Sequence, residues 1–158
     1  MHAITVREAL RTIVDAAPFD CTFSTKIHDV LDGPETDTVY FLLQPITGEI
    51  VNDGNLHKVY NIDCAIYQKM DEETDENERD ESLSMLDQSM ELIFNEFYQR
   101  HVVDVTTING EELSVHLTTP PEIQTDWNSG TDNENMVQLT FSIQDEKPIA
   151  CSTTLFSY

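Results

Sequence analysis

Basic residues are scarce in this sequence: eight Lys and Arg stand against thirty Asp and Glu, giving a formal charge of −22. A chain this acidic repels phosphate, so neither nucleic acid nor an anionic membrane surface is the expected binding target. Cations, basic partners, or a surface that DNA must pass without sticking stay compatible. Glycine is also rare, at five residues, and none falls in a Walker or dinucleotide-binding pattern. No phosphate cradle is therefore expected. The cysteines, Cys21, Cys64 and Cys151, are odd in number and widely spaced, without a C-x-x-C pair. That usage points to free thiols and a reducing compartment. The first residues lack the cationic and apolar regions of a signal peptide, and no apolar run reaches the ~20 residues that cross a bilayer. What is present suffices for one domain core, with 39% hydrophobic residues in a chain of 158.

The order of patterns predicts an α+β domain spanning residues 1–158. Thr5 and Glu8 stand at capping-box spacing ahead of the stripe Val6, Leu10, Ile13 and Val14, which predicts a helix over 6–16. Thr38–Gln44 reads as a core strand stopped by Pro45, with 25–31 as a candidate partner. Residues 45–57 form a projecting loop or small hairpin carrying Ile46, Ile50 and Val51 around the turn-rich Asn52-Asp53-Gly54-Asn55. Val59–Gln68 alternates, with Tyr60, Ile62, Cys64 and Ile66 toward the core.

Residues 71–81 then hold eight acidic side chains in eleven, among them Asp71, Glu72 and Glu73. They precede a helix expected over 83–99, with the stripe Leu83, Leu86, Met90, Ile93, Phe94 and Phe97. The acids suit the helix N-terminus, and Arg100-His101 suit its other end. Val102–Leu117 reads as a hairpin about Asn109-Gly110. A three-residue loop, Ile108-Asn109-Gly110, puts Val103, Val105, Leu113 and Val115 on one face and is the expected register. A polar loop with Trp127 fills 120–135, the strand 136–144 alternates, and 147–158 forms a C-terminal arm. The sum is a mostly antiparallel sheet of about five or six strands with two helices on one face.

Enzymatic motifs are missing: there is no G-x-S-x-G, H-E-x-x-H or G-x-x-x-x-G-K-[ST]. Cys64 or Cys151 with a histidine supplies the types of a nucleophile–base pair, but packing explains Cys64 better. The Cys and His residues lack zinc spacing. The acidic run lacks the sixth-position Gly and twelfth-position Glu of a calcium loop, with Glu76 and Ser82 at those places. No catalytic residue, metal or cofactor is expected. Trp127 reads either as an interface anchor or as a core aromatic pinning a long loop.

A short N-terminal helix, a strand pair, a long alternating strand, a second amphipathic helix and a terminal antiparallel group follow one another. The final section runs through Pro120-Pro121, Glu122-Ile123, a polar loop with Trp127 and Gly130, and the alternating strand 137–143. Over almost the whole chain this order resembles the tail terminator and tail completion proteins of tailed bacteriophages. The resemblance implies a structural virion protein, assembled in the host cytoplasm. It would form a six-fold or twelve-fold ring of copies, in contact with tail tube, neck and head-connector proteins, through which DNA passes without specific binding. Subunit or lumen contacts would fall on Ile46, Ile50, Val51, Asp71, Glu72, Glu73, Trp127, Phe156 and Tyr158. The density of acid at 71–81 departs from the pattern. Two other classes stay open. One is an acidic module that mimics nucleic acid or inhibits a basic partner. The other is a small-ligand domain with a deep apolar pocket.

Overall fold

Two long strands, each the full depth of the domain, set the architecture. The structure, a computed structural model, describes residues 2–26, 38–71, 73–128 and 134–150, with backbone only at 126–128. In chain order the elements are α1 (Ala3–Asp15), β1 (Thr22–Ser24), β2 (Val39–Leu43), β3 (Thr47–Asn52), β4 (Leu56–Lys69) and α2 (Glu76–Tyr98). A π-helical turn (Gln99–Val103) follows, then β5 (Thr106–Ile108), β6 (Glu111–Leu113), β7 (Val115–Leu117), β8 (Glu122–Asn128) and β9 (Glu134–Asp145). The fold is α+β, as the patterning predicts, although among the described residues the main sheet has seven strands and β5–β6 form a second small sheet.

β4 and β9 run antiparallel from Val59 opposite Gln144 to Lys69 opposite Glu134. Each is flanked by two short strands in place of one long one: β2 and β3 lie along β4, and β7 and β8 along β9. The breaks carry Pro45 and Pro120-Pro121, which offer no N–H to a ladder. Gln44 and Thr118 still donate from their backbone N–H to the Asp63 and Ser142 carbonyls, so the sheet stays continuous at both breaks. Strand β1 is parallel to β2, with Phe23 stacked on Phe41 at 5.8 Å. Of the partner expected at 25–31, residues 27–31 lie outside the described residues.

Alternation fixes which face is covered. Phe41 and Leu43 of β2, the inward β4 residues from Tyr60 to Ile66, and Val137 to Ile143 of β9 pack against α1 and α2. The α1 stripe is buried as expected, together with the Leu86, Met90, Ile93 and Phe97 stripe of α2. Leu83 and Phe94 sit partly buried at its margin.

Four expectations are corrected. Helix α1 begins at Ala3, so Thr5 lies inside it and is no cap; its buried hydroxyl donates to the Glu111 carboxylate. Glu8 pairs instead with Arg7 at 3.3 Å and Arg11 at 3.8 Å. Helix α2 starts at Glu76, seven residues earlier than the apolar stripe suggests, because Asp75 caps it by accepting from the Glu78 N–H at 2.9 Å. The acidic run is thus mostly helix, its carboxylates favoured by the dipole at that end. Asp75→Ala is expected to cost about 1 kcal/mol, read as a lowered denaturation midpoint with unchanged slope.

The β5–β6 hairpin uses the two-residue turn, with Thr106 opposite Leu113 and Ile108 opposite Glu111. Asn109 and Gly110 take positive φ of 51° and 82°, as a type I′ turn requires. The three-residue register does not form because the π turn carries the helix through Val103. Val103 and Val105 therefore never enter the sheet and stay exposed. Finally, 122–128 is a strand and not a loop. Register sets Ile123 and Thr125 opposite Leu139 and Val137, on the side of the helices but still exposed, and Glu122 and Gln124 opposite Thr140 and Gln138, on the other. A polar edge strand carries little apolar signal because its partner supplies the core side.

Candidate assembly surface

The β3–β4 hairpin forms one edge of the main sheet. Every β3 residue is exposed except Val51, which is half-buried. Ile50 is 64% exposed and Leu56 48%, and the register makes them diagonal neighbours on one face. Two apolar side chains held on a rigid hairpin in an acidic chain are candidates for a contact surface.

The hairpin is braced at both ends. At its tip the Asn52 Oδ1 accepts from the Gly54 N–H at 3.2 Å, and Gly54 has φ of 104°. Asp53 accepts from the Gln144 amide at 3.1 Å and lies 3.5 Å from the His57 ring, whose Nδ1 meets the Asp145 carbonyl at 2.9 Å. The Gln144 hydrogen bond, and beyond it the His57 ring, hold the Asp53 carboxyl below the usual carboxylate range. At its base Gly48 admits the Tyr60 ring, which a Cβ there would meet at 3.2 Å. After β9 the chain returns to this end, the Ile149 N–H donating to the Leu56 carbonyl at 2.7 Å.

The other residues named from sequence are not gathered here. Ile46, expected in a projecting loop, is partly buried against the core beside Ala3 and Ile4. Asp71 and Glu73 are exposed at the far end of β4, roughly 35 Å from the hairpin at the rise of a strand. There Arg79 folds back to donate to the Thr74 carbonyl at 3.1 Å, tying a short 71–75 connection. The backbone of Trp127 pairs with Asn135, but its side chain lies outside the described residues, as do Glu72, Phe156 and Tyr158. Among the described residues no group of three His, Cys, Asp or Glu is placed to hold a metal ion.

Several buried groups bear on chemistry. Cys64 donates its thiol to the Leu139 carbonyl at 3.6 Å, and burial raises its pKa far above the usual thiol range. Burial, with help from Asp15, pushes the Cys21 thiol up to about 12. His101, expected to suit the C-terminal end of the helix, is 1% exposed and packs 5.1 Å from Phe97. Desolvation, with the nearby Arg100 charge, lowers its pKa to about 4. It is neutral at pH 7 and gives the dipole no charge. A cleft of about 690 Å³ crosses the open sheet face between the two proline breaks. Polar and apolar side chains line it together, and Ser142 donates to Asn61 there at 2.6 Å. No helix among the described residues is long and apolar enough to cross a membrane.

Comparison of the sequence with protein-family models and with curated proteins gives no match. Sequence reasoning passed over one feature, an apolar flank of α2 carried by Met85 and Leu92. These stand seven residues apart and are exposed, a spacing that repeats every second turn and was readable.

Proposed function

We propose that the protein is a structural component of a virion, a ring-forming tail terminator or neck connector whose acidic surface does not retain DNA. The observation that carries this reading is the braced hairpin, which exposes Ile50 and Leu56 together on one face at the sheet edge. A rigid apolar projection suits contact with a second protein surface, because little conformational freedom is lost on docking. The order of elements supplies the phage assignment by resemblance. The formal charge of −22 supports the remaining part, since DNA meets no cationic surface from which it would have to dissociate.

Copies carrying such charge repel one another, so assembly should strengthen with salt. Light scattering is expected to show larger particles at about 0.5 M than at about 0.05 M NaCl, where screening is weaker. The double variant Ile50→Lys, Leu56→Lys is expected to remain monomeric at both, with an unchanged circular dichroism spectrum because both residues are exposed. Assembly of that variant equal to the parent's would remove the hairpin from the contact. A parent chain that stays single at every salt and on tail tubes would remove the ring.

A further inference from the structure

A second surface lies on the helical layer, on the flank of α2 that faces the segment after α1. Two adjoining hollows of about 340 and 390 Å³ share Phe19. One bank is α2, with Met85, Ser89 and Leu92; the other is 16–22, with Ala17, Pro18 and Phe19. Met85 and Leu92 are exposed, although Leu86, Met90 and Ile93 already serve the core. The groove extends along α2 and into the π turn, from Met85 to Arg100, about 22 Å at the helical rise, which matches roughly four turns of a docked helix.

Its rim carries an excess of acid. Glu96 and Arg100 offset each other at one end, and the excess comes from Asp20 on the other bank and from the acidic residues beyond Met85. Asp15 lies close enough for its charge to act on Cys21, which lines the groove. Beyond Met85 the surface continues past Glu81 and Glu78 to Asp71 and Glu73, around a further hollow of about 560 Å³. The basic residue at the groove, Arg100, is 4.0 Å from Glu96. An apolar floor inside a negative rim selects an apolar stripe flanked by cations.

We infer that this groove docks a basic amphipathic helix of a different protein, its apolar side on Phe19, Met85 and Leu92 and its Lys and Arg side chains on the acidic rim. A second copy of this chain does not supply such a helix. Its eight Lys and Arg are scattered from Arg7 to Lys147, and only Arg7 and Arg11 share a helical face. The groove needs no ring, so it serves a single chain and an assembled one alike.

Fluorescence anisotropy tests this with a labelled peptide of roughly 18 residues, leucines at helical three–four spacing and lysines elsewhere. A scrambled peptide of the same composition and a leucine–glutamate analogue serve as controls. The ordered lysine peptide is expected to bind at least about tenfold more tightly than the scramble, and the glutamate peptide not at all. Met85→Ser with Leu92→Ser is expected to weaken binding at least about tenfold, while Leu56→Ser leaves it unchanged. Equal binding of ordered and scrambled peptides would reduce the effect to charge condensation and overturn the inference. So would a double serine variant that binds as the parent does. Self-association lost in that variant, with no peptide bound by the parent, would assign the groove to a second copy instead.

Discussion

Phe97→Ala is expected to destabilise the protein by about 3–5 kcal/mol, the range for emptying a large aromatic site in a packed core. Phe97 is fully buried and joins α2 to the central strand pair and to the π turn. Its ring lies 5.4 Å from Phe141 of the central strand pair and 5.1 Å from His101 of the π turn. Phe94 closes on the same Phe141 ring at 5.3 Å. The neighbours come from a helix, a strand and a turn, so none can collapse into the space without moving its own element. The thermal midpoint should fall by roughly 10 °C at the slope typical of a chain this long. Leu92→Ala, one and a half turns earlier on α2 and 54% exposed, should change stability by less than about 0.5 kcal/mol. A Phe97→Ala loss as small as that of Leu92→Ala would show that α2 does not sit on β9 as described.

Acid is expected to act through His101. Its folded pKa of about 4 lies below the ordinary histidine value of 6.5, so the unfolded chain binds the proton more readily. The stability it contributes is complete above pH 6.5 and is lost as pH falls toward 4. At about 1.4 kcal/mol per unit the loss approaches about 3 kcal/mol. The physical cause is plain: the ring is buried, its Nδ1 has no partner among the described residues, and a charge there faces Arg100. Carboxylate protonation relieves self-repulsion over part of the same range, so the parent curve is a sum of both effects. Comparing urea midpoints of parent and His101→Leu from pH 8 to pH 4.5 separates them. The variant should begin less stable at pH 8, having lost the hydrogen bond to the Leu113 backbone, and should fall less steeply with acid. Parallel curves would show that His101 titrates normally.

What was legible follows from where the signal is local. Leu86, Met90, Ile93 and Phe97 repeat with the helix period, and Tyr60 to Ile66 and Val137 to Ile143 with the strand period, so those elements and their buried faces could be read directly. The start of α2 could not, because the Asp75 cap and the acidic first turns resemble a solvated loop until the dipole is considered. Strand β8 was lost for a different reason: Glu122–Asn128 has polar residues on both faces and is held by its partner β9. The hairpin register was decided by the π turn, whose extra residue per turn withdraws Val103 and Val105 from the sheet. The same turn buries His101.

The surfaces divide in the same way. Ile50 and Val51 sit in a hairpin whose turn residues announce it. The groove beside Leu92 needs two banks distant in sequence, and only the α2 bank leaves a periodic trace. Ile46 shows the converse. An apolar residue next to a proline in a turn-rich stretch looked exposed, yet the Pro45 break directs it onto the core.

The central claim is that the protein acts by assembling into a closed ring through rigid projections. Native mass spectrometry of the full chain, over a wide range of concentration and with tail tubes present, tests it most directly. The account predicts a discrete species of six or twelve chains with few intermediates, which the Ile50→Lys, Leu56→Lys variant does not form. A single chain under all of these conditions, or an open-ended ladder of masses without closure, would contradict it.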